Sequence, residues 1–238
     1  MDRDGGKATL KETRAMNYGK RPIPSYIYIA AVIAVVIMVL PAAGDDWEYW
    51  CESRANANLI PKLKLGVEQK FRFRNDMSDY YFEQTNVGIW WEAHKFLELG
   101  TFYGHTEQQS VSGIWRSEER WTLEATLKAK LGPFVFKDRN RFEERWLEVG
   151  GEQQRYRNSF RVEFPRKVHA WTITPFVYDE LFYDFVAGEM NRNRLAVGVA
   201  ATISKNLLVE VYYILQDDKA GGDWQGRNVL ASQIKLTF

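Results

Sequence analysis

Charged side chains at alternate positions are the first feature of this chain with chemical content. Arg139, Arg141, Glu143 and Arg145 stand two apart, and Arg155 and Arg157 repeat that spacing, with Arg161 and Glu163 beyond them. In an extended chain such positions share one face, so these groups form a ladder and not a scatter. Glu180, Arg192 and Arg194 continue the theme, with Glu98, Glu124 and Glu210 elsewhere. Guanidinium and carboxylate groups at close range make charge-assisted hydrogen bonds, while an excess of guanidinium attracts an anion. Two readings follow: a structural salt-bridge network, or the wall of a narrow anion-preferring channel.

Other chemistry finds less support. The histidines are His94, His105 and His169, and only His105 has an acid and hydroxyls close by, in Glu107, Ser110 and Ser112. A Ser–His–acid arrangement needs all three groups within hydrogen-bond reach, and polar loops supply such neighbours by chance. His94 and His169 read as solvated turn residues. No catalytic residue is predicted, and a lipid hydrolase or acyltransferase is the reading with least behind it. Cys51 is the only cysteine, so neither an intrachain disulfide nor a Cys-rich zinc site can form. No phosphate loop, dinucleotide fingerprint or metal-ligand spacing occurs, so no cofactor and no metal are expected. A net charge of +1 leaves no global basic footprint for nucleic acid.

The elements that would hold the ladder alternate with period two. In residues 62–74, Leu63, Leu65, Val67, Phe71 and Phe73 lie on one face, with Lys62, Lys64, Glu68, Lys70, Arg72 and Arg74 on the other. Residues 120–131 repeat this, as do residues 206–216. Further segments fall near residues 80–91, 95–106, 134–146, 155–164, 171–183 and 191–203. Their length exceeds the usual globular strand of about five or six residues and suits a tilted bilayer crossing. Aromatic residues near segment ends, among them Trp91, Trp121, Trp146 and Trp171, suit membrane–water belts. Connections alternate short and long, with long ones expected near residues 75–79, 107–118, 147–154, 184–190 and 217–227. Gly66, Gly88, Gly100, Gly104 and Gly198 fall within strands, where they permit curvature.

Lys20 and Arg21, an apolar run from Tyr26 to Leu40, and the small residues Ala42 and Gly44 read as a signal peptide over residues 1–44. A retained helix would instead anchor a periplasmic β-domain. Residues 45–60 are of uncertain role, and residues 61–238 form the barrel. About ten crossings follow Lys62, with twelve as the alternative, since an even count is the bacterial rule. Keeping Arg139 and Arg141 inside leaves Asp138, Asn140, Glu144 and Asn158 outside. A β-bulge would remove that conflict, or the patch meets a partner protein or a second protomer.

The runs 139–145, 155–157, 175–180 and 193–198 resemble, in order and spacing, an uncharacterised domain-of-unknown-function family of predicted bacterial outer-membrane barrels. The resemblance covers about residues 46–238. It implies an all-β fold, an antiparallel up-and-down transmembrane barrel in the outer membrane, surrounded by lipid, and it brings no activity. The last strand fits: Phe238 shares a face with Leu236, Ile234 and Leu230, a pattern that resembles the signal read by the barrel-assembly machinery. Adhesion through exposed aromatic contacts in the Ile114–Trp115 region and at Trp224 is the alternative function.

Overall fold

The computed structural model describes residues 47–238. The expected signal peptide and its alternative anchor lie outside them. Twelve strands follow one another: β1 (Trp47–Ile60), β2 (Leu63–Arg74), β3 (Asp79–His94), β4 (Leu97–Gln109), β5 (Trp115–Leu131), β6 (Phe134–Leu147), β7 (Gly151–Glu163), β8 (Arg166–Val168), β9 (Trp171–Asp184), β10 (Glu189–Thr202), β11 (Leu207–Ala220) and β12 (Asp223–Thr237). Eleven of them close one ring, and the three-residue β8 pairs only with β9. Closure leaves no edge, which is the condition for a sheet placed in hydrocarbon.

The count corrects the expected ten crossings. Every neighbouring pair in the ring is antiparallel except β1 and β12, which run parallel from Trp47↔Asn228 to Asn56↔Thr237. The segment that resisted assignment is thus a full strand, bonded to β2 on one side and β12 on the other. Its outward residues Cys51, Ser53, Ala55 and Ala57 are small, so the contrast between its faces is weak. Beyond β12 the chain is sewn to this seam, where Phe238 N donates to Asn56 O (2.9 Å) and Asn58 N to Phe238 O (3.1 Å).

Parallel closure puts Trp47 and Phe238 at opposite mouths. The Phe238 mouth carries the connections 61–62, 95–96, 132–133 and 203–206, and the Trp47 mouth carries 75–78, 110–114, 148–150, 185–188 and 221–222. The long loops expected at the second mouth are therefore short. Hydrogen-bonded pairing runs on to Gln109↔Trp115 and to Ala220↔Asp223. Above the apolar band both faces of a hairpin meet water, so the alternation fades while the strand continues. Gly221 and Gly222 close the last hairpin at φ 62° and 98°, values that favour glycine.

The wall is apolar outside and charged inside. Leu65, Val67, Val87, Ile89, Leu123, Leu127, Leu195 and Val211 are exposed, whereas Glu68, Glu143, Glu180 and Arg194 are buried. Alternation could not say which face was outer, and this distribution decides it. Buried leucine would mean a soluble barrel, but buried glutamate under exposed leucine fits a wall surrounded by hydrocarbon.

The polar patch on β6 faces outward without a bulge. Registers shift only near strand ends, as at Arg72/Phe73 and Met190/Arg192, while β6 pairs without interruption on both sides. Asp138 and Asn140 lie beside Leu127 and Ala125, inside the apolar band. The groups satisfy one another: Asn158 Nδ2 donates to Asp138 Oδ1 (2.6 Å) and to Asn140 Oδ1 (3.1 Å). Asn193 Nδ2 donates to Asp179 Oδ1 (2.8 Å) two strands on. Leucine at positions 138, 140 and 158 together is expected to stabilise the barrel by on the order of 1–2 kcal/mol for polar groups removed from the lipid face, read as a higher urea midpoint. A fall, with a smaller particle in detergent, would place a second protein against the stripe.

Candidate functional site

The barrel interior is where the charged residues converge. Glu180 on β9 lies 2% exposed and is held by three guanidiniums: Arg139 (2.8 Å), Arg157 (2.8 Å) and Arg194 (3.3 Å). Glu143 on β6 is 1% exposed and takes Arg155 (2.7 Å) and Arg157 (2.8 Å). Arg157 bridges the two carboxylates, as a planar fork with donors on both sides can. Arg141 pairs with Glu124 (2.6 Å) and Arg145 with Glu118 (2.7 Å). Arg161 reaches from β7 to Glu210 on β11 (3.0 Å), a strut across part of the lumen. Arg192 pairs nearer the Trp47 mouth, with Asp218.

All ten lumen residues expected from the sequence thus face inward and pair. Several that matter were not foreseen. Glu118 and Asp218 lie in stretches expected to be loops, and Arg120 opens the alternating segment 120–131. Aromatic rings also enter the lumen. Arg72 lies 4.0 Å from the Trp50 and 4.0 Å from the Phe82 ring centroids, and Arg161 lies 3.6 Å from that of Phe176. Phe176, Tyr178 and Phe182 share the parity of Glu180, which was the available signal. A two-letter reading, apolar out and charged in, hides them. These contacts use guanidinium faces while the edges serve carboxylates.

Glycines make room for this filling. A Cβ on Gly66 or Gly100 would stand 2.7 Å or 2.8 Å from the Trp90 indole. The strand glycines therefore yield space to lumen side chains as well as permitting curvature.

What remains is a cavity of about 940 Å³. Its lining reaches from Lys64 and Lys235 at one mouth to Lys219 and Arg227 at the other. Eighteen Lys or Arg side chains line it against nine carboxylates, and with Glu48, Glu68 and Glu143 paired to lining cations from behind, cations still outnumber carboxylates on a chain of net charge +1. The positive charge is concentrated where a solute would pass. Across a hydrocarbon core about 30 Å thick, that volume averages to a cross-section on the order of 30 Å².

Outside the lumen, His105 Nδ1 lies 2.6 Å from Glu119 and Nε2 lies 3.2 Å from Glu107. The Ser110 and Ser112 hydroxyls bond each other at 2.9 Å. Trp115 and Trp224, expected on long loops, belong to β5 and β12.

A closed wall with an apolar exterior and a charged, partly open interior defines the transmembrane β-barrel class. Within that class the chain belongs to the family "Protein of unknown function (DUF2490)", whose model matches residues 47–227. The resemblance read from the short runs in β6, β7, β9 and β10 is confirmed. No curated protein sequence matches the chain. Solved structures with a similar fold include the β domain of the Bordetella autotransporter BrkA, at 14% identity over 71% of this chain and 80% of that one, TM-score 0.48. An anion-selective porin from Comamonas acidovorans follows at 12% identity over 75% and 55%, TM-score 0.36. The siderophore receptor PirA from Pseudomonas aeruginosa is similar at 13% identity over 72% and 34%, TM-score 0.28.

Proposed function

We propose that this protein is an exported outer-membrane barrel that passes small anions, with the Phe238 mouth toward the periplasm. One observation carries the reading: a single cavity lined from mouth to mouth by twice as many cations as carboxylates. Fixed positive charge beside low-dielectric walls raises the local anion concentration and repels cations. The exposed aliphatic wall supports a place in lipid, and the outward face of Leu230, Ile234, Leu236 and Phe238 supports delivery by the barrel-assembly machinery. No cofactor and no catalytic residue enter the reading.

Purified protein in planar bilayers under a KCl gradient should give small single-channel steps and a reversal potential near that of chloride. A cation-selective reversal potential would overturn the reading. Silence at every voltage would leave a structural barrel, the second reading, which the Arg161–Glu210 strut favours. Adhesion has less to work with, since the longest connection at the Trp47 mouth spans residues 110–114.

A further inference from the structure

The cations at the Phe238 mouth differ in kind from those of the central lumen. The centre is mainly arginine, matched to carboxylates except for Arg72, which lies against Trp50 and Phe82. The mouth uses lysine: Lys64 on β2, Lys128 on β5, Lys137 on β6 and Lys235 on β12 all line the cavity. Lys128 holds Glu98 at 2.8 Å and Lys137 holds Glu163 at 2.7 Å. Among the described residues, no carboxylate lies within ion-pair distance of Lys64 or Lys235.

The seam makes this imbalance sharper. Lys235 stands directly opposite Arg54 across the parallel β1–β12 pair. On the other side of β1, Lys64 stands opposite Asn58, one inward position beyond the Gly66↔Asn56 pair. Three cations therefore sit on three consecutive strands at one end of the lumen. Arg54 is paired with the fully buried Glu68, and the Arg54 Nε and Glu68 Oε1 atoms of that pair have no hydrogen-bond partner. The neighbouring Asn56, 3% exposed, has its Nδ2 donor in the same condition.

Like charges opposite one another destabilise a sheet, and buried donors without acceptors cost more. The repulsion is relieved if an anion with several acceptor oxygens sits in the lumen against Lys64 and Lys235. A halide offers one charge and cannot meet three cations. Lysine presents compact charge with rotatable donors, which suits phosphate oxygens, whereas the arginine forks of the centre suit flat carboxylates. The side chains face the lumen, so the anion is a soluble one and not a bilayer headgroup.

We infer that the Phe238 mouth holds a binding site for a soluble multivalent phosphate anion, formed by Lys64 and Lys235 with Arg54 beside them. The site deepens the channel reading, since it names an anion class at one entrance. It would concentrate such anions at the mouth and hold back chloride while filled.

Titration of the full chain in zwitterionic detergent with inorganic pyrophosphate tests it. Binding should appear at moderate salt, and K64Q/K235Q should weaken it by about tenfold or more, with chloride competing poorly. Heat-modifiable migration on gels checks that the variant folds, and removal of two unmatched charges should leave that intact. In planar bilayers, pyrophosphate should reduce chloride current when added on the Phe238 side and not on the other. Equal binding by wild type and variant, or no binding at all, overturns the site. Binding without conductance would remove the channel and keep the site, and conductance without binding would do the reverse.

Discussion

Glu180→Gln is expected to lower the urea unfolding midpoint more than any other single substitution in the lumen wall. The carboxylate is the shared partner of Arg139, Arg157 and Arg194, contributed by β6, β7 and β10 to a residue on β9. Neutralising it leaves three guanidiniums facing one another with one fewer negative charge among them. Removing one member of a buried ion pair costs about 3–5 kcal/mol, because the remaining charge stays desolvated and uncompensated. Glutamine keeps the shape and one acceptor oxygen, so the loss reads charge and not packing. Adding Arg157→Gln to the variant should recover part of the stability, since it removes one of the stranded cations. Urea titration followed by heat-modifiable migration measures both steps. A wild-type midpoint in E180Q would mean that water screens the cluster and that the ion pairs hold little together.

Alanine at Gly88 or Gly198 should be the next most damaging change. A Cβ on Gly198 would lie 2.2 Å from Tyr212 Cβ, 2.6 Å from Val211 O and 2.8 Å from Tyr212 Cα. On Gly88 it would lie 2.2 Å from Phe102 Cβ and 2.5 Å from Thr101 O. In both cases the obstacle is the neighbouring strand's own backbone, which cannot rotate away. Overpacking of this kind costs about 1–3 kcal/mol, and here it also opens the β3–β4 or β10–β11 pairing. Gly104 is the internal contrast: its nearest obstacle is Asn86 Oδ1 at 2.1 Å, the end of a side chain that can turn aside. Urea midpoints in the order G104A above G88A and G198A would support the distinction. Equal midpoints would show that the paired strands can part without loss.

Much of this architecture is written locally in the chain. Period-two alternation in segments such as residues 120–131 states strand, length and face at once, because a tilted crossing needs little more. The ladder from Arg139 to Arg161 was legible for the same reason. Closure was not, because the pairing of β1 with β12 joins residues about as far apart as the described chain allows, and neither strand announces its partner. Strand ends were misread where both faces meet water, as at Gln108↔Arg116, since pairing there continues without polarity contrast. The outward Asp138 suggests from the sequence either a bulge or a partner protein, and the uninterrupted pairing of β6 removes the bulge. The structure instead surrounds its carboxylate with the amide of Asn158, a contact across strands that no spacing within β6 reveals. Glu180 looked like one carboxylate among several. Its place as a hub depends on three strands whose order around the ring is a global property.

The parallel seam also sets where attached polypeptides emerge. In a barrel of paired hairpins both chain ends leave from one side, so two fused partners would share a compartment. Here a domain joined ahead of Trp47 and another joined after Phe238 would face opposite compartments across the wall, tethered to strands that are bonded side by side.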